Sequence, residues 1–279
     1  MERRDFLRLS AGAAFGGVLF KESVTPKVYG AAKMNNAVGV QLYTIRNIMA
    51  EDFEGAIERV AEIGYDEVEF AGYFDRKPQQ VRSLLDDLSL TAPAVHIPLD
   101  AVRGDLGELI ETAGTIGHKY VIVPFLPESE RTLEGYKRTA ELFNMVGEEF
   151  QKADIQFGYH NHDFEFEETE GQIPFDLLLN ETEPDLVTME LDIFWVARAG
   201  YEPLDYINNY PGRFKLCHVK DMDSEGTMVD VGSGTIDFAG IFSQSEQAGL
   251  EHYFVEHDNP QNPMDSILNS HGVLRELQA

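Results

Sequence analysis

Cysteine is almost absent from the sequence. Cys217 is the only one, so no internal disulfide can form, and an oxidising compartment would do the chain little harm. Positive charge is scarce too: 22 lysines and arginines stand against 49 aspartates and glutamates, for a net charge of −27. Such a surface repels polyanions and collects cations, which argues against a nucleic-acid partner. Leu9 to Phe20 is a Gly/Ala-rich apolar stretch, but its length of about 12 residues falls short of the roughly 20 that a membrane span needs. No linker divides the chain, and no low-complexity segment or internal repeat is evident. The Gly-x-Gly-x-x-Gly turn of a dinucleotide site is missing after the first predicted strand.

What remains is a chain of 279 residues, 43% of them hydrophobic, a size that suits one large α/β domain. Its first 33 residues read as an address rather than fold. Arg3-Arg4 precede Phe6-Leu7, the apolar stretch follows, and Gly30, Ala31 and Ala32 offer cleavage positions before Lys33. This resembles a twin-arginine export signal, which implies a periplasmic protein whose folded part spans residues 34–279, with no stable membrane span after cleavage.

From there strand-like and helix-like segments alternate. Strands are predicted at 37–43, 67–70, 91–96, 120–123, 155–160, 187–192, 214–219 and 253–256. Helices are predicted at 52–63, 78–88, 106–116, 131–153, 174–179, 203–208, 238–247 and 264–277. Eight such pairs in one chain predict a closed (β/α)₈ TIM barrel, with a doubly wound open sheet as the alternative. The last four strands recur about every 30 residues, the length of one strand plus a crossover helix. Each ends on a side chain that can bind a divalent metal: His160, Asp192, His218 and Glu256. Parallel strands bring their carboxyl ends to one rim, where barrel enzymes do chemistry.

Strand alternation extends the pattern. With Asp192 facing the lumen, Glu190 faces it too; with His160 inward, Gly158 and His162 follow; with His218 inward, Cys217 faces the outer helices and Lys220 stands at the mouth. Two imidazoles with two or more carboxylates suit Mn²⁺, Zn²⁺, Co²⁺ or Fe²⁺ better than Ca²⁺. Such an ion acts as a Lewis acid beside a substrate oxygen, and proton abstraction next to a carbonyl then needs a base, for which His162, Glu190, Glu256 and His96 are candidates.

The runs Gly39-Val40-Gln41-Leu42-Tyr43-Thr44, Val95-His96-Ile97-Pro98, Gly158-Tyr159-His160-Asn161-His162-Asp163, Glu190-Leu191-Asp192, His218-Val219-Lys220-Asp221 and Phe254-Val255-Glu256 together resemble the sugar phosphate isomerase/epimerase family of the xylose isomerase-like barrels. The resemblance implies one divalent metal ion held by His160, Asp192, His218 and Glu256, with His162 an alternative to His160. It implies catalytic roles for Glu256, His162, His96 and Lys220, and a substrate wall of Gln41, Tyr43, Glu69 and Trp195. Epimerases of that family with a symmetric acid/base pair have glutamates on strands five and eight, whereas strand five here offers His160. Relatives of the inosose dehydratase and keto-sugar lyase type carry a similar His-x-His.

The expected function is therefore a metal-dependent sugar isomerase or epimerase. The alternatives are a lyase acting on keto-sugars or 3-keto-glycosides, or a metal-dependent carbohydrate-binding protein. A small-molecule sugar is the expected partner, and a homo-oligomer is open. The loop Asp230–Asp237, rich in glycine and ahead of a helix, is expected to offer backbone N–H groups to substrate oxygens.

Overall fold

A computed structural model describes residues 37–278; the expected export signal in residues 1–33 lies outside the described residues. Eight strands form the barrel: β1 (Gly39–Gln41), β2 (Glu67–Phe70), β3 (Thr91–His96), β4 (Tyr120–Val123), β5 (Gln156–His160), β6 (Val187–Asp192), β7 (Phe214–Val219) and β8 (His252–Val255). Every neighbouring pair is parallel, and β8 pairs with β1 to close the cylinder. The closed barrel is thus the fold, and the open sheet is excluded.

Helices fill the connections because their apolar residues recur at helical spacing and are capped by local polar groups. In Phe53–Ile63 the buried face is Phe53, Ala56, Ile57 and Val60, Asp52 caps the start through Gly55 N–H, and Gly64 ends it at φ 106°, a conformation glycine adopts without strain. The main core lies between these helices and the outer faces of the strands, and it includes Cys217. No described helix is long and apolar enough to cross a membrane.

The lumen has its own small apolar plug of Ala94, Tyr120, Ile122, Leu216 and Phe254. Gly39 and Gly158 make room for it: a Cβ on Gly39 would sit 2.4 Å from the Phe254 ring, and one on Gly158 would sit 2.6 Å from Ile122. One step toward the carboxyl rim, the inward residues turn polar, and all of Gln41, Glu69, Glu190, Asp192 and His218 are fully buried. A dry plug under a polar layer keeps water from the site's underside.

The structure departs from the sequence expectations at element ends. Strand β1 stops at Gln41 because Leu42–Ile45 winds into a 3₁₀ turn, whose Tyr43 N–H donates to the Gln41 side chain at 2.9 Å. The helix expected over 238–247 is broken into Phe238–Phe242 and Ser245–Ala248. Ser243 Oγ bonds back to the Gly240 carbonyl there, the local competition that disfavours serine inside helices. Among the elements the sequence reading does not foresee are the helices Arg46–Glu51 and Leu99–Val102, the helix Ile193–Arg198 directly after β6, and an antiparallel ribbon of Asp221–Met222 with Met228–Val229 after β7.

Candidate active site

The four predicted side chains meet. His160 Nε2 lies 3.1 Å from Asp192 Oδ2 and 3.1 Å from His218 Nδ1, and His218 Nδ1 lies 2.8 Å from Glu256 Oε2. One donor atom from each falls within 4.8 Å of the others, and all four residues are buried. Asp192 is fixed from both sides. Its Oδ1 accepts the Trp195 N–H at the start of Ile193–Arg198, its backbone N–H donates to Asn161 Oδ1, and Oδ2 is left facing the cluster. His162 sits apart from this group, with its ring 5.0 Å from that of His160, so His160 rather than His162 completes the quartet.

Lys220 is only 2% exposed and makes three ion pairs: Glu256 Oε2 at 2.6 Å, Asp258 Oδ1 at 2.8 Å and Asp192 Oδ2 at 3.0 Å. Burial opposes its charge, but these carboxylates outweigh it and hold the ammonium well above its ordinary range. Burial likewise works against the Asp192 carboxylate, yet Lys220 first and then His160 bring it down to about 2. Glu256 is held well below the usual carboxylate range in spite of burial, chiefly by Lys220 and His218. Both carboxylates are therefore ionised at neutral pH, and with the two imidazole nitrogens they form a donor set able to hold a divalent cation.

Below this quartet lies a second polar layer. Glu69 takes a bond from Gln41 Nε2 at 2.7 Å and its Oε2 lies 2.7 Å from His218 Nε2, while His96 Nε2 lies 2.6 Å from Glu190 Oε2. Gln41 and Glu69, expected in the substrate wall, are instead fully buried behind His218. A cavity of about 600 Å³ opens above the quartet. Among its lining residues are Tyr43, His96, His160, His162, Lys220 and Glu256, with Ile97, Pro98, Pro124, Phe125 and Pro127 making an apolar flank. Trp195, also expected in the wall, does not line it; its ring packs 5.4 Å from that of His162, which stacks on Phe164 at 5.5 Å. Burial, then His160 and Lys220, push His162 well below its ordinary value, so at neutral pH the ring is uncharged.

Glu165, which the sequence gave no reason to single out, braces this segment. It is fully buried, accepts the Tyr159 hydroxyl and accepts the His162 N–H at 2.8 Å. Burial pushes its carboxyl up to about 7 from 4.5, against the pull of those two bonds. Since the folded value is the higher, its contribution to stability is present below 4.5 and is lost as the pH rises through 7. Glu165→Gln is expected to remove this loss. Between pH 5 and pH 8 the difference in unfolding free energy should move toward the variant by about 2 kcal/mol, read by urea unfolding at both pH values. A pH-independent difference would contradict a neutral buried carboxyl.

The glycine-rich loop does not serve the substrate. The N–H groups of Gly232, Gly234 and Ile236 all donate to the Asp221 carboxylate, at 2.9, 2.9 and 3.2 Å, as does that of Met222 at 2.8 Å. The expectation misplaced the acceptor because the partner sits eleven or more residues earlier in the chain. Asp221→Ala would leave those four donors without their acceptor, the Ile236 N–H at a buried position and the others partly buried. A loss of about 3 kcal/mol is expected, measured as the urea midpoint, whereas a change below 0.5 kcal/mol would show that the loop is held by something else.

A closed parallel barrel with buried histidines and carboxylates gathered at its carboxyl rim defines a recognisable class of fold and site. The chain belongs to the xylose isomerase-like TIM barrel family, whose model matches residues 57–277. An inosose dehydratase of Lacticaseibacillus casei is 22% identical over 242 residues, spanning 73% of this chain and 80% of that protein. A solved structure described as a sugar phosphate isomerase/epimerase from Parabacteroides distasonis is 25% identical, with a TM-score of 0.75 and coverage of 91% of this chain and 98% of that one. Another, the IOLI protein with a zinc atom bound, shares the fold at 14% identity and a TM-score of 0.69, over 87% of this chain and 98% of its own.

Proposed function

We propose that this chain is a divalent-metal enzyme of sugar or keto-sugar conversion that breaks a C–H bond next to a carbonyl and then expels a β-substituent. The observation that carries the reading is the convergence of His160 Nε2, Asp192 Oδ2, His218 Nδ1 and Glu256 Oε2 beneath a cavity that His162 and Lys220 also line. Those four side chains would hold the ion, which would supply Lewis-acid polarisation of a substrate oxygen.

The side chains supply the rest. His162, uncharged and at the cavity wall, takes the proton from carbon. Lys220 stands as a fixed cation beside the developing oxyanion. His96, also at the wall, reaches down to Glu190 and Glu69. This asymmetry supports elimination: His162 faces one fixed cation, while Glu256, also at the wall, is tied to His218 and Lys220. In a 3-keto-glycoside, the base removes the C2 proton, a C1–C2 double bond forms, and the C1–O bond breaks with its electron pair on the leaving oxygen, which then takes up a proton. The apolar flank of Pro98, Pro124, Phe125 and Pro127 suits the departing group. Relatives named inosose dehydratase are consistent with loss of a β-oxygen substituent.

Isomerisation or epimerisation is the second reading, favoured by the likeness to the structure described as a sugar phosphate isomerase/epimerase. One experiment separates the two: incubation with a 3-keto-glycoside in D₂O with Mn²⁺, Co²⁺ or Zn²⁺. Release of the aglycone supports the lyase, and deuterium entering the intact glycoside without release supports the isomerase. Binding with neither outcome would leave a carbohydrate-binding barrel.

A further inference from the structure

The layer beneath the quartet poses its own question. Glu69 and Glu190 face one another with no exposed surface, and each keeps one oxygen, Oε1, that accepts no hydrogen bond from any described residue. The donors present are shared between oxygens, with His218 Nε2 also standing 3.3 Å from Glu190 Oε1. Gln41 Nε2 and His218 Nε2 both serve Glu69 Oε2, and His96 Nε2 has one position for Glu190 Oε2 at 2.6 Å and Glu69 Oε1 at 3.3 Å together. Buried oxygens without partners are a cost the fold normally avoids, and two facing carboxylates raise it further.

We propose that Glu69, Glu190 and His96 form a second divalent-cation site under the first. Their donor atoms, with His218 Nε2, lie within 4.8 Å of one another. One imidazole and two carboxylates, with a position left open, make a three-ligand set of the catalytic rather than the structural kind. The open position is reached through His96, the member of this set that lines the cavity. His218 Nε2–H remains the donor to Glu69 Oε2, so the two sites are linked through one imidazole and one carboxylate.

Charge supports the count. Asp192, Glu256 and Asp258 pair with the Lys220 ammonium, and Glu69 and Glu190 with the His218 and His96 imidazoles; with both imidazoles neutral, as metal ligands must be, four negative charges are left. Two divalent cations cancel four, whereas one leaves half of the deficit buried.

The test is metal stoichiometry of the full chain, dialysed against Mn²⁺ or Zn²⁺, freed of loose ions and analysed by mass spectrometry. Two ions per chain are expected, falling to one in Glu190→Gln and in His96→Ala, one in Asp192→Asn, and none in Glu190→Gln/Asp192→Asn. His96 is partly exposed at the cavity, so its variant guards against a folding failure of the glutamate variant. A wild-type value of one, or a value of two that survives both Glu190→Gln and His96→Ala, overturns the second site and leaves the first intact. Retention of both ions in Asp192→Asn would instead overturn the first.

Discussion

Lys220→Met is expected to lower kcat by about 10²- to 10³-fold at saturating metal and substrate, the range seen when one preorganised charge-stabilising group is lost. Methionine keeps the length and apolar body of the side chain, so packing is nearly preserved while the ammonium disappears. The argument turns on what Lys220 touches. Its Nζ contacts Asp192 Oδ2 and Glu256 Oε2, the same oxygens that face the quartet, and it lines the cavity. It is thus both a cation at the place where negative charge grows during C–H cleavage and a competitor of a metal ion for its ligands. Its removal should therefore raise metal affinity while lowering turnover. That split tests the role, because a residue that only held the fold would lose activity and metal together and in proportion to the fall in Tm. Metal content that drops with kcat in Lys220→Met would sink the assignment.

Much of this architecture was legible beforehand, and the reasons are physical. Strands β2, β3, β4, β6 and β7 begin and end where the sequence reading puts them, since central parallel strands are buried on both faces and read as apolar runs between polar breaks. The quartet was legible for a related reason: strand periodicity fixes which residues share the lumen, and parallel order fixes which rim they share.

What escaped depends on contacts between segments far apart in the chain. Lys220 is expected at the mouth in a catalytic role, but its burial and its bond to Asp258, 38 residues on, are not legible; the only local hint is the two-residue spacing from Glu256 to Asp258. Glu165 lies in a turn that no periodicity governs, and its burial follows from Tyr159 on the preceding strand. Gln41 and Glu69 have the right parity for the lumen but the wrong depth. Alternation tells which face a side chain takes, and it cannot tell which layer of the barrel the side chain occupies.

Depth also explains the second large effect. The buried carboxylates of both layers repel one another in the metal-free protein, and Lys220 with the His218 and His96 imidazoles offsets them only in part. A cation that binds the folded state and ignores the unfolded chain stabilises by about 2.7 kcal/mol at a hundred times its dissociation constant. For a chain of this size each kcal/mol moves Tm by roughly 2–4 °C. Saturating Mn²⁺ or Zn²⁺ added to chelator-treated protein is therefore expected to raise Tm by about 5–10 °C. Asp192→Asn should abolish the share of that rise that comes from the quartet, because Oδ2 of this residue touches His160, His218 and Lys220 together and the amide brings no charge. The metal-free variant should meanwhile unfold somewhat below the metal-free wild type, since the pull of Lys220 and His160 that brings the Asp192 carboxyl down to about 2 favours the folded state at neutral pH and is lost with the charge. Calorimetry on the two proteins with and without the ion reads both halves at once. An equal rise in the two would mean that Asp192 serves the fold alone, through Lys220 and its cap on Trp195, and that the cation binds elsewhere.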